Sequence, residues 1–158
     1  MKAKGGVVDL LNRILSAHLA AISQYFLHAK LCEYWGYERL HRKLRGRSID
    51  GMKAADTLIG HILYLEAGPR VQGLSRWQPG DTVPAQLKSA LQAEQELLAL
   101  LREGVRHCAT VEDFTTRHLL EDMAKKVDAQ IDWIETQLTS MAELGLEPYL
   151  AEQLTESR

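Results

Sequence analysis

Residues 67–84 read AGPRVQGLSRWQPGDTVP, and this stretch decides the fold. Three of the chain's four prolines fall within it, together with Gly68, Gly73 and Gly80. On either side the sequence is rich in Leu, Ala, Glu, Gln and Arg, the good helix formers. A hairpin between helices needs about 2–8 residues. About seventeen residues, at ~3.3 Å each when extended, can instead run the length of a long helix. The helices before and after this stretch are therefore predicted to point the same way. The architecture that follows is an all-α antiparallel four-helix bundle with one long crossover.

The flanking sequence supplies the helices. The first is predicted from about Val7 to Glu33, with Leu11, Ile14, His18, Ile22, Tyr25, Ala29 and Cys32 on its inward line. Trp35-Gly36-Tyr37 turns the chain. The second runs from about Glu38 to Glu66 along Leu40, Leu44, Gly51, Ala54, Leu58, Ile62 and Leu65, and Ala67-Gly68-Pro69 stops it. The third starts near Pro84, a good first-turn residue, and carries Leu87, Leu91, Glu94, Leu98, Leu101, Val105 and Cys108 inward. Thr110 with Asp113 reads as a capping box for the fourth. That helix follows Leu120, Met123, Val127, Gln130, Ile134, Leu138 and Met141 to about Leu144. Gly145 ends it, and Pro148 opens a short fifth helix holding Tyr149, Leu150 and Leu154. A second apolar stripe runs beside the core line of helix two, at Ile49, Met52, Ile59 and Leu63, with Leu19 and Phe26 on helix one. A helix with two apolar faces needs two partners, so a second subunit is expected against this stripe.

Composition narrows the function classes. The 158 residues read as one domain, 1–158. Lys and Arg number 19 against 21 Asp and Glu, which gives no basic footprint for nucleic acid. No run approaches ~20 uncharged apolar residues, so no membrane span is expected. The two cysteines, Cys32 and Cys108, make neither a disulfide framework nor a zinc knuckle. The opening MKAKGGVVDLLNRI lacks the pattern of a signal peptide, and a cytoplasmic location is expected.

Chemistry is sought on the inward lines at mid-bundle. Di-metal bundles place a glutamate on each of two helices and Glu-x-x-His on each of the other two. Carboxylates bridge the metals and balance their charge, and a histidine at i+3 caps each one. Here helix three offers Glu94 and helix one offers His18 near the same depth. Helix two offers Gly51 and Ala54, and helix four Val127 and Gln130. The one Glu-x-x-His in the chain, Glu38 with His41, lies in the opening turn of helix two and reads as a solvated pair. Buried charge is costly without a partner, so Glu94 is expected to pair with His18, to be hydrated, or to carry a proton. A surviving site for a single metal at His18 and Glu94 is the sharper alternative.

Several longer runs carry a family resemblance. Residues 20–36 read AAISQYFLHAKLCEYWG, near AINQYFLHAR…NWG. Residues 48–56 read SIDGMKAAD, near SIDEMKHAD, and Ile62–Glu66 matches ILFLE. Residues 131–138 read IDWIETQL, near HIDWLETQL without its first histidine, and 145–150 read GLEPYL, near GLxNYL. On these the chain is similar to bacterioferritin over essentially its whole length. The resemblance implies a ferritin-like fold, two-fold dimers and a hollow shell of 24 subunits storing iron as a ferric mineral. It also implies haem b at the two-fold interface, its iron held by one methionine from each subunit. Met52 matches that methionine, and Leu19, Ile22, Phe26, Ile49 and Lys53 match positions that wall or flank the haem.

The departures gather at the other site. The six positions that match the family's ferroxidase ligands hold His18, Gly51, Ala54, Glu94, Val127 and Gln130, and only Glu94 keeps the family's residue. The haem site is therefore carried over and the ferroxidase site is not. The expectation is a haem-binding subunit whose own di-iron centre is degenerate. A paralogous, ferroxidase-competent subunit would supply Fe²⁺ oxidation, and a ferredoxin-type donor would supply electrons for iron release. A homomeric haem-containing shell that gains iron slowly at the mineral surface, or a non-catalytic helical bundle, are the alternatives. Asp50, Glu66 and Asp132 could guide iron, though each is equally an ordinary solvated carboxylate.

Overall fold

The computed structural model describes residues 1–71 and 80–154. Five helices follow in order: α1 (Val7–Tyr34), α2 (Glu38–Tyr64), α3 (Val83–Thr110), α4 (Phe114–Leu144) and α5 (Leu146–Gln153). There is no strand among the described residues. No helix is long and apolar enough to cross a membrane among them. The four main helices have 28, 27, 28 and 31 residues, so each spans about 40 Å and they are matched in length.

Hydrogen bonds between helices fix their directions. Ser48 Oγ donates to the Ile22 carbonyl, and His41 Nδ1 meets the Ala29 carbonyl, so α2 runs antiparallel to α1. Arg13 pairs with Glu103 and Gln24 with Ser89, so α3 also runs antiparallel to α1. Helices α2 and α3 therefore point the same way, as the length of the crossover predicts. The middle of that crossover, with Gly73 and Pro79, lies outside the described residues. Its start is tied down by Asn12, a buried polar side chain on α1. Asn12 Nδ2 donates to the Gly68 carbonyl, and its Oδ1 accepts the Arg70 N–H at 2.6 Å.

Helix ends differ in detail from the sequence reading. Helix α2 stops at Tyr64, before Glu66, whose backbone turns left-handed at φ 60°. Helix α3 starts at Val83, one residue before Pro84, because the Thr82 side chain caps it by accepting the Ala85 N–H. The expected Thr110–Asp113 capping box does not form. Thr110 is the last residue of α3 and donates to the Arg106 carbonyl, while Glu112 at φ 59° breaks the chain between the helices. Asp113 itself is the cap of α4. Its carboxylate accepts the Thr116 N–H at 3.0 Å and the Thr116 hydroxyl at 2.7 Å. That hydroxyl's single proton is thus spent, so His61 Nε2, at 2.8 Å, must donate to it. One buried aspartate thereby caps α4 and locks it to the end of α2. Gly145, at φ 87°, turns α4 into α5, where Leu154 ends exposed while Tyr149 and Gln153 are buried and Leu150 packs against the core.

The core falls into two apolar clusters. One is built around Leu11, Ile14, Leu58, Ile62, Leu101 and Leu120, the other around Tyr25, Ala29, Leu40, Leu87 and Ile134. Along every helix the break comes at the same level: His18 on α1, Arg47 and Ser48 on α2, Glu94 on α3, Gln130 on α4. A polar layer crosses the middle of the bundle.

Replacing Asp113 by alanine should remove the α4 cap and lower stability by about 1–2 kcal/mol. The shift of the chemical unfolding midpoint measures it, and Asp113→Asn should lose less. An unchanged midpoint in Asp113→Ala would contradict the capping role.

Candidate functional site

The polar layer is centred on an ion pair that the inward lines read from sequence did not include. Glu94 has no exposed surface. Arg47 Nη2 donates to both of its carboxylate oxygens, at 2.9 and 3.0 Å. Arg47 is itself only 8% exposed, with its guanidinium carbon 5.6 Å from the centre of the Tyr25 ring. The Tyr25 hydroxyl also hydrogen-bonds the Glu94 carboxylate. Gln130 Nε2 donates to that hydroxyl at 3.4 Å. Each helix thus contributes one residue to a single network: Tyr25, Arg47, Glu94 and Gln130. Burial pushes the Glu94 carboxyl above the usual carboxylate range, and the Arg47 charge pulls against that shift. Burial and the Glu94 charge raise the Tyr25 hydroxyl, so it stays protonated.

The sequence reading offered His18 as a partner for Glu94, and it is not one. His18 is 2% exposed, and neither ring nitrogen has a hydrogen-bond partner in the structure. Arg47 reaches the carboxylate first because a guanidinium carries its charge on a long stem and can serve both oxygens. Burial and the nearby Arg47 charge lower the His18 pKa to about 4, so the imidazole is neutral at pH 7. A signal for Arg47 was present. The core line of α2 steps from Leu44 to Gly51, and the i+3 and i+4 positions between them are Arg47 and Ser48.

The positions beside the pair bring no further charge. A Cβ on Gly51 would stand 2.8 Å from Ile22 Cγ1, so the glycine is what lets Ile22 close over α2 at this level. A longer side chain there would have to displace Ile22 and would point toward Arg47, whose Nη1 lies 4.0 Å from the same point. Ala54, Val127 and Gln130 line a cleft of about 660 Å³ between α2 and α4, with His18 and Arg47 at its inner side. Among the described residues, no three His, Cys, Asp or Glu side chains gather as a metal-binding group. A carboxylate whose two oxygens are already held by a guanidinium has little charge left for a metal ion.

The other residues singled out from the sequence lie elsewhere, on surfaces. The register set by Ser48 and Ile22 brings Leu19, Ile22 and Phe26 of α1 level with Ile49 and Met52 of α2. Met52 is 52% exposed and Phe26 59%, with Ile49 and Leu63 also open and Leu19 and Ile22 half-buried. Lys53, next to Met52, is exposed. Asp50, Glu66 and Asp132 are exposed, and of the three Asp50 lines the cleft between α2 and α4. Glu38 and His41 do not pair. His41 turns back to the Ala29 carbonyl and to Glu33, 2.9 Å away, because that end of α1 packs beside it.

Comparison with known proteins places the chain among relatives. The pattern of the ferritin-like domain family matches residues 8–144. A bacterioferritin of Mycobacterium leprae is 36% identical over 152 residues, covering 96% of each chain. A bacterial ferritin of Pseudomonas aeruginosa is 36% identical over 157 residues, 98% of this chain and 100% of that one. A bacterioferritin of Brucella melitensis is 35% identical over 149 residues, 94% and 92% of the two chains.

Two outcomes follow for the polar layer. Arg47→Met and Glu94→Leu should each cost about 3–5 kcal/mol, because each strands a buried charge, while the double variant should recover most of the loss. Chemical unfolding midpoints test this, and simply additive losses would contradict the pairing. Separately, His18 takes its proton near pH 6.5 when unfolded but only near pH 4 when folded. The unfolded chain binds more protons in between, so stability present at pH 7 is lost as the pH falls from about 6.5 to about 4. This residue's share is about 3 kcal/mol per chain. Thermal midpoints across that window should flatten in His18→Leu relative to the parent.

Proposed function

The chain belongs to the bacterioferritin family of ferritin-like proteins, and from that premise we propose that it is a haem-binding subunit of an iron-storing shell that does not itself oxidise iron. The Arg47–Glu94 ion pair carries this reading. The family's ferroxidase centre needs several carboxylates to neutralise two iron ions. Here the buried carboxylate at mid-bundle, Glu94, is neutralised by an arginine of the same chain. The residues at this level do not fit a di-iron centre, and no step of iron oxidation is assigned to them.

The residues around Met52 do fit one half of a haem site. A thioether stands exposed in an apolar face of α1 and α2 formed with Leu19, Ile22, Phe26 and Ile49. A two-fold axis through this face would set a second Met52 opposite the first and cover the apolar side chains of both copies. Haem b, held there, supplies a one-electron redox couple. Met52 would ligate the iron, the apolar residues would exclude water and set the local dielectric, and exposed Lys53 would offer a positive charge beside the pocket. Replacing Met52 by leucine in haem-reconstituted protein should abolish the bis-thioether visible spectrum. An unchanged spectrum would remove Met52 from the site.

The same reading requires oxidation to come from elsewhere. A paralogous subunit with a full carboxylate set would provide it while sharing the shell, with a ferredoxin-type donor returning electrons for release. Haem would then report on pairing, since a like-like dimer supplies two Met52 residues and a mixed dimer one. Native mass spectrometry of particles from the source organism should find two kinds of subunit. Iron-filled shells made of this chain alone would rule the mixed shell out.

A further inference from the structure

The cleft between α2 and α4 has a charge of its own. Its volume is about 660 Å³, and a second cleft of about 400 Å³ adjoins it through Lys43, which lines both. Six cationic side chains line the two, against Asp50 and Asp122; one of the six, Arg47, is already paired with Glu94 behind the lining. This is a concentration of positive charge in a chain whose net charge is −2. Most of it comes from α2, where Arg39, Lys43 and Arg47 follow at i+4 spacing and share one face with Arg42 close by. Lys53 adds to it a turn and a half further on, and Lys126 faces it from α4. Lys43 lies over the Trp133 ring, 5.3 Å from its centre. The carboxylate nearest Arg39, Glu152, is 4.0 Å away with both side chains exposed. Asp122 faces His118 at 3.6 Å.

The inner end of the cleft holds polar groups that the protein leaves unsatisfied. Arg47 spends Nη2 on Glu94, but its Nε is buried without an acceptor. His18 beside it is buried with both nitrogens unpaired. A buried donor without an acceptor costs about 1–3 kcal/mol, so two side chains with the same deficit in one cleft call for a common partner. Water could supply hydrogen bonds but would not answer the charge of Lys43, Lys53 and Lys126 along the same cleft. A metal cation would be repelled by the lining. A tetrahedral oxyanion answers both, with several acceptor oxygens and negative charge for short, charge-assisted hydrogen bonds.

We infer that the α2–α4 cleft is a binding site for a small tetrahedral oxyanion of the phosphate class, with Arg47 Nε and His18 at its inner end and lysines at its mouth. Neutral His18 sharpens the choice. It has one N–H and one bare nitrogen, so its best partner both accepts and donates. Hydrogen phosphate has a P–OH group to give to that nitrogen, and sulfate at neutral pH has none.

Isothermal titration of the full chain, stripped of iron by a chelator so that no mineral competes, tests this with inorganic phosphate at low ionic strength. One saturable site per chain is expected, with sulfate weaker and chloride no competitor. Lys43→Gln with Lys126→Gln should weaken phosphate about tenfold, whereas Lys88→Gln, an exposed lysine on α3, should leave it unchanged. Arg47→Lys keeps a charge for Glu94 but removes Nε, and should also weaken binding. The absence of a saturable site would overturn the inference. So would equal affinity for all three anions, or indifference to the paired lysine changes.

Discussion

A carboxylate sealed completely inside four helices must be neutralised, and the way this chain does it governs the rest of the molecule. Desolvating a charge costs several kcal/mol even after relaxation, so Glu94 could not remain there ionised and alone. Arg47 answers it from α2 with one nitrogen on both oxygens. Tyr25 packs under the guanidinium and Gln130 completes the ring. The result is a covalently built-in cation at the middle of the bundle. A metal can be lost, exchanged or change its charge. An arginine can do none of these, so the middle of this bundle is held together independently of iron.

Other features at the same level become intelligible from that pair. The apolar core is split in two because a polar layer needs room. Gly51 has no side chain, and Ile22 closes into the space beside the guanidinium. His18 is left buried, neutral and unpaired because the carboxylate that could have held it is already taken. The cleft between α2 and α4 stays open where neither helix offers a large side chain to fill it, at Ala54 and Val127.

How much of this could be read in advance depended on the kind of physics involved. The four helices and their directions were legible because periodicity and crossover length are properties of the chain itself. Leu11, Leu58, Leu101 and Leu120 were expected inward and are buried. Helix ends were less legible, since a left-handed residue such as Glu66 or Glu112 has no strong local signature outside glycine and asparagine. Glu94 and His18 were singled out correctly as inward and polar, but their pairing was not. Arginine is read as a surface residue by default, and only the gap between Leu44 and Gly51 argued against that for Arg47. Which of two candidate partners wins a buried carboxylate depends on reach across three helices, and a sequence does not carry that distance. The exposed stripe at Met52 was legible for the opposite reason, because a second apolar face is a pattern along one helix.

We propose that the Arg47–Glu94 pair leaves this chain alone unable to take up and oxidise iron rapidly. Stopped-flow absorbance of Fe²⁺ oxidation by oxygen, with particles made only of this chain, tests it most directly. No rapid phase above the uncatalysed rate is expected, whatever the ratio of iron to protein. A fast phase that saturates in proportion to the number of chains would contradict it.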